Sequence, residues 1–176
     1  MLKNPRGIVF LDRDGTINER IIGGYVTEIS LFRFLKYSKK AIKLLNNELF
    51  ITILITNQRG IAKRLMSEED LQKIHNFMQD SLQKSAAKID KIFYCPHDIS
   101  DNCECRKPKP GMIVRALNEL ERDGVSINVP KYLIGDSESD MQTAKNAGIT
   151  GLKIGKENKE FKNLYQAVKY LLKISS

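Results

Sequence analysis

Two carboxylates stand two residues apart in Asp12-Arg13-Asp14-Gly15-Thr16, directly after the apolar run Gly7 to Leu11. If extended backbone persists past that run, alternate side chains share a face, so Asp12 and Asp14 point to the same side. Gly15 lets the chain turn sharply behind them. Taken alone, Asp14-Gly15 is equally a simple turn signal, and the pair is out of phase with a calcium loop. A second group, Gly135-Asp136 with Glu138 and Asp140, follows the run Lys131 to Ile134. A lone acid there is a helix cap. Beside Asp12 and Asp14, these carboxylates repel one another unless a cation sits among them, and hard oxygen ligands with room for water suit Mg²⁺.

Two further segments complete a possible chemistry. Thr56-Asn57-Gln58 ends the run Phe50 to Ile55; it reads as a turn or cap, and equally as a hydroxyl and amides placed to hold an anion. Arg106-Lys107-Pro108-Lys109-Pro110 fixes a lysine ahead of a helical pattern. Alone it is an exposed basic loop. Together the four segments supply a carboxylate nucleophile, a neighbouring acid, a metal site and cationic anchors. These are the parts needed for phosphoryl transfer to an aspartate.

All three cysteines lie in one short stretch, Cys95-x-His97-x5-Cys103-x-Cys105. Disulfides would leave one thiol over. A catalytic thiol with His97 as its base leaves the crowding of the other two unexplained. Three thiolates and one imidazole form a full tetrahedral set for Zn²⁺, with no open position for water, so the metal is structural. Cys105 precedes Arg106 and Lys107 directly, which ties this zinc loop, residues 95–105, to the phosphate anchor.

The elements that position these residues alternate. Strands are predicted at Gly7 to Leu11, Phe50 to Ile55, Ile89 to Tyr94, Lys131 to Ile134 and Gly151 to Ile154. Helices are predicted at Ser38 to Asn47, from a Ser67 cap through Leu82, at Met112 to Glu121, Ser139 to Ala147 and Phe161 to Leu172. The expected fold is α/β: a doubly wound, mainly parallel, Rossmann-like sheet covered on both faces, in a single domain over residues 1–176. Ligands of such sheets bind beyond the carboxyl ends of the strands, where every segment above lies. His75, inside the third helical pattern's predecessor at Leu71 to Leu82, is expected to be a surface or helix-packing residue.

The 176 residues suffice for one core of ordinary composition, 41% hydrophobic and 28% charged. The net charge of +8 is dispersed, without a dense basic run interleaved with aromatics, so no nucleic-acid partner is expected. No apolar run reaches the roughly 18 residues of a membrane span, and the N-terminus lacks a signal-peptide pattern. A cytoplasmic monomer is the expectation.

The motifs FLDRDGTIN, LITNQ, CRKPKPG and LIGDSESDM resemble, in order, those of the haloacid dehalogenase-like phosphatases. The resemblance runs roughly from Ile8 to Ile154. Gly24-Tyr25-Val26, TNQRGIA and KPGM are similar to the heptose bisphosphate phosphatase group, whose neighbours are the histidinol-phosphate phosphatases. The resemblance implies that Asp12 is the nucleophile and that Asp14 is the general acid and then the base. It implies that Thr56 and Lys107 hold phosphoryl oxygens, and that Mg²⁺ is bound by Asp12, the Asp14 backbone carbonyl and Asp136. It also supports zinc at Cys95, His97, Cys103 and Cys105. No large cap is expected, which leaves substrate choice to Arg13, Tyr25, Asn57, Gln58, Arg59, Arg106 and Ser137. Ser137 stands where lysine is common in that group, Arg59 stands where serine is common, and the loop before Tyr25 is longer. The implied reaction is removal of the 7-phosphate from a heptose 1,7-bisphosphate. Histidinol phosphate is the alternative substrate, and an inactive zinc-stabilised binding module is the alternative of another class.

Overall fold

The computed structural model describes residues 2–158 and 160–175. Five strands, β1 (Gly7–Leu11), β2 (Phe50–Asn57), β3 (Lys91–Cys95), β4 (Lys131–Gly135) and β5 (Thr150–Lys153), alternate with five helices. The helices are α1 (Ser38–Asn47), α2 (Glu68–Gln83), α3 (Gly111–Arg122), α4 (Glu138–Asn146) and α5 (Leu164–Ile174). The sheet order is β3-β2-β1-β4-β5, and every pairing is parallel.

β1 is central because it is apolar on both faces. All of GIVFL is buried, as parallel strands covered on two sides require. Alternation sends Val9 and Leu11 into one core with α1, α2 and α5. Ile8 and Phe10 enter the other core, with α3. Leu11 pairs with Leu54 of β2 and with Ile134 of β4. The carboxyl ends of β1, β2 and β4 therefore open side by side. No described helix is long and apolar enough to cross a membrane.

The predicted boundaries shift where side chains take over backbone roles. β3 begins at Lys91 rather than Ile89 because the Asp90 carboxylate accepts from the Thr52 amide at 2.9 Å, in place of a ladder bond. α5 begins at Leu164 because the Asn163 side chain caps it, accepting from the Gln166 amide at 3.1 Å. Phe161 then packs into the core ahead of the helix. β2 runs on to Asn57, which pairs with Cys95 of β3, so the Thr56 segment and the thiol loop start side by side.

The thiol loop lies against the first turn of α3. A Cβ on Gly111 would sit 2.2 Å from the Glu104 carbonyl oxygen, which is backbone and cannot swing aside. Gly111→Ala should lower stability by about 1–3 kcal/mol, the usual cost of overpacking. Urea unfolding checks this: an unchanged midpoint would show that the loop yields freely.

Candidate active site

The floor of the site is one buried cation between two buried carboxylates. Lys107 Nζ lies 2.6 Å from Asp12 Oδ1 and 2.6 Å from Asp140 Oδ1, and donates to the Ile55 carbonyl at 3.2 Å. All three side chains are buried. Burial disfavours the ammonium, but Asp12 and Asp140 outweigh it and raise Lys107 above its ordinary value, so it stays charged. Burial lifts Asp12 to about 7; Lys107 opposes the rise, while Asp140 and Asp14 add to it.

The lysine is delivered by its backbone. Asn57, at the end of β2, accepts from the Lys107 amide at 3.0 Å and donates to the Lys107 carbonyl at 3.2 Å. Asn57 also lines the cavity, but this clamp gives it a positioning role that its sequence context did not reveal.

Asp14 faces a different set of partners. It accepts from Asn18 at 2.9 Å, from Gln58 at 3.0 Å and from the Arg13 guanidinium at 3.2 Å. Burial raises Asp14, but the Arg13 charge and these hydrogen bonds outweigh it and hold the carboxyl below its ordinary value. Gln58 also donates to Thr56 Oγ1 at 2.8 Å, which joins that hydroxyl to the Asp14 carboxylate. Arg13 corrects a sequence expectation. Its residue is fully buried, between Asp14, Gln58 and the His75 ring, whose Nε2 lies 3.4 Å from its Nη1. It supports Asp14 from beneath and has no face for substrate. His75 is a packing residue and not a surface one: it is 2% exposed, and its ring is tilted against that of Tyr94 with centroids 6.1 Å apart.

Asp136 completes a group of oxygens with Asp12 and Asp140, all within 4.8 Å of one another. Gly15 is required here: a Cβ at its φ of +98° would lie 2.1 Å from Asp136 Oδ2. Arg20 donates to Asp136 Oδ1 at 2.8 Å and to the Asp14 backbone carbonyl at 3.2 Å. Three converging hard oxygen donors beside a backbone carbonyl fit a divalent cation. Asp140 was legible in the sequence as a nearby acid, without its partner being evident.

In the loop leading into Lys107, the Cys95, His97, Cys103 and Cys105 ligand atoms also lie within 4.8 Å of one another. Their closest separations run from 3.2 Å (His97 Nδ1 to Cys105 Sγ) to 3.6 Å (Cys95 Sγ to His97 Nδ1). A tetrahedral zinc with Zn–S near 2.3 Å has edges of about 3.7 Å, so the donor set fits that ion. Weak thiol hydrogen bonds would not draw three sulfurs together.

A cavity of about 570 Å³ opens above Asp12, Asp14, Thr56 and Lys107. Tyr25, Asn57, Gln58 and Ser137 line it. Arg59 and Arg106 do not line it. Arg59 pairs with Asp98 at 2.6 Å, and Arg106 donates to the His97 carbonyl at 3.3 Å, so both tie down the thiol loop. Arg20 and Lys63 line the wall instead. Arg20 belongs to the loop before Tyr25 whose length the sequence marked. Lys63, in a turn after β2, carried no sequence signal.

An aspartate pair after the central strand, a threonine after the next strand, a lysine ahead of α3 and an acid after β4 define a hydrolase of the haloacid dehalogenase type. A HAD-hydrolase-like family model matches residues 104–167. A relative from Pasteurella multocida, named D-glycero-beta-D-manno-heptose-1,7-bisphosphate 7-phosphatase, is 38% identical over 157 residues, 86% of this chain and 82% of that one. A Mycobacterium tuberculosis relative, named for the alpha anomer, is 38% identical over 138 residues, 78% of this chain and 71% of that one. The crystal structure of D,D-heptose 1,7-bisphosphate phosphatase from B. bronchiseptica, complexed with magnesium and phosphate, superposes with a TM-score of 0.81. It shares 29% identity and covers 95% of this chain and 98% of that one. The chain belongs to the haloacid dehalogenase-like phosphatases, in the group that holds these heptose bisphosphate enzymes.

The support beneath Asp14 has a pH signature. Burial, then the Arg13 charge, lowers His75 from 6.5 to about 3. Below pH 6.5 the unfolded chain takes up a proton that the folded protein refuses, so stability is full above that pH and declines as pH falls toward about 3, by at most about 1.4 kcal/mol per unit. The wild-type protein should therefore lose stability on acidification faster than His75→Gln, measured by denaturant unfolding. Parallel curves would show that His75 is protonated in the fold.

Proposed function

We propose that this phosphatase removes the 7-phosphate of D-glycero-D-manno-heptose 1,7-bisphosphate through an aspartyl-phosphate at Asp12. The observation that carries the reading is the floor of the cavity. A nucleophilic carboxylate, a lysine that stays charged and a threonine hydroxyl converge there beneath an open space of about 570 Å³. Asp12 attacks phosphorus, the phosphorus–oxygen bond to the sugar breaks, and Asp14 gives its proton to the departing oxygen. Asp14 then takes a proton from the water that cleaves the aspartyl-phosphate, returning Asp12 as a carboxylate. Lys107 and Thr56 hold the phosphoryl oxygens and offset the charge that gathers on them.

Asp14 is held ionised at rest by Arg13, Asn18 and Gln58. An incoming phosphate dianion is a like charge beside it and favours its protonated form, which equips it to act as the acid.

Asp12, Asp136 and the Asp14 backbone carbonyl would hold Mg²⁺, with Asp140 beside them. When bound, the ion offsets the repulsion between carboxylate and phosphate. Arg20 donates to the Asp136 and Asp14 oxygens and is held beside this site. Zn²⁺ on Cys95, His97, Cys103 and Cys105 has no open position, and its part is to fix the segment leading into Lys107. The reading extends to a cytoplasmic, monomeric enzyme with no nucleic-acid partner, supported by the dispersed charge.

Two relatives of equal identity are named for opposite anomers, so both anomers belong in the test. Phosphate release should be Mg²⁺-dependent and fastest on a heptose bisphosphate, in a panel that also holds histidinol phosphate and sugar monophosphates. Asp12→Asn should lose at least about 10³-fold in kcat with an unchanged circular dichroism spectrum. A best rate on histidinol phosphate would overturn the substrate, and release from no ester would overturn the enzyme. Exhaustive zinc removal should cut activity in a way that added Mg²⁺ does not restore. Full Mg²⁺-dependent activity without zinc would refute the structural role given to the thiol loop.

A further inference from the structure

We infer that Lys63 binds the phosphate group that is not cleaved and so sets the preference for a bisphosphate over a monophosphate; this rests on the function proposed above. A bisphosphate brings a second dianion into the cavity while its first lies on Asp12, Thr56 and Lys107. Some cation with charge to spare must meet it.

The cavity walls offer three cations: Arg20, Lys63 and Lys107. Lys107 is spent on Asp12 and Asp140, both at 2.6 Å. Arg20 is spent on Asp136 at 2.8 Å. Lys63 is in no ion pair among the described residues. Asp98, the carboxylate that feels its charge, is already held by Arg59 at 2.6 Å. The Lys63 ammonium lies 5.5 Å from the centroid of the Tyr25 ring. An aromatic face orients an ammonium without neutralising it, so the full charge remains available to an anion.

The other residues that might serve are committed elsewhere. Ser137 is uncharged, and its hydroxyl is bound into the capping box of α4 with Asp140. Arg106 donates to the His97 carbonyl and lies off the cavity. Lys63 is placed by the turn after β2, where its amide donates to the Arg59 carbonyl at 3.1 Å. Tyr25 and Lys63 thus form one wall: the ring comes from the loop after β1, and the charge from the turn after β2. Gly60 permits their approach, since a Cβ there would already touch the Tyr25 ring at 3.4 Å.

The test is steady-state kinetics of wild type, Lys63→Gln and Lys63→Arg on a heptose 1,7-bisphosphate and on the matching 7-monophosphate. Lys63 is exposed, so neither change threatens the fold. Loss of one charge-assisted contact should raise KM for the bisphosphate about tenfold in Lys63→Gln. KM for the monophosphate and both kcat values should stay within about twofold, and Lys63→Arg should restore the bisphosphate KM. An equal rise on both substrates, or none, overturns the assignment. Cleavage of the bisphosphate by wild type with an unmoved Lys63→Gln KM overturns this inference alone. Failure of wild type to cleave the bisphosphate overturns the proposed function and this inference together.

Discussion

The site depends on one buried ammonium. Lys107 stands buried between Asp12 and Asp140, and its charge opposes the rise that burial imposes on Asp12. Taking away one partner of such a group leaves an uncompensated charge in a poorly polarisable interior, which costs several kcal/mol. The three residues come from three distant parts of the chain: the end of β1, the loop before α3 and the first turn of α4. Their mutual attraction therefore acts on the fold as well as on the chemistry.

Secondary structure and site share the same atoms. Asp140 gives one oxygen to Lys107 and the other to the Ser137 amide at 3.1 Å. The carboxylate that neutralises the lysine thus also caps α4. Gly135 is the other half of this arrangement, because a Cβ there would fall 2.4 Å from the Asp140 carboxyl carbon. Gly15 stands in the same relation to Asp136. Gly15 read as a turn former in the sequence. It does take a left-handed conformation, but each glycine is also required because a carboxylate occupies the space where a side chain would go.

Much of the fold was legible because buried parallel strands are continuous apolar runs, and the residues ending those runs come out side by side. Asp12, Thr56 and Asp136 could be placed together on that ground. The thiol loop was legible because four soft ligands at close spacing have few other uses. Arg13 was misread because a charged residue between two acids in a strand-end loop looks exposed; its burial depends on Gln58 and His75, far away in sequence. Arg59 and Arg106 were assigned to substrate by their position in motifs, while their partners, Asp98 and the His97 carbonyl, are set by the path of the thiol loop. Asp140 read only as one acid of the group after β4; nothing in its spacing announced its bond to Lys107.

The path of that loop is where the fold has the least help from regular structure. Between β3 and α3 no helix or strand fixes the chain, and each residue held still there costs about 1–2 kcal/mol of conformational entropy. Yet Lys107 must be placed closely enough to meet two carboxylates at once. The loop is tethered from several sides instead. The thiol and imidazole group gathers its first half, Asn57 clamps the Lys107 backbone, and Asn146 of α4 donates to the Pro108 carbonyl at 2.9 Å. Arg59 and Arg106 add outer ties. Arg59 and Arg106 were drawn into holding this loop, and among the described residues Lys63 is left as the cavity cation without an ion-pair partner.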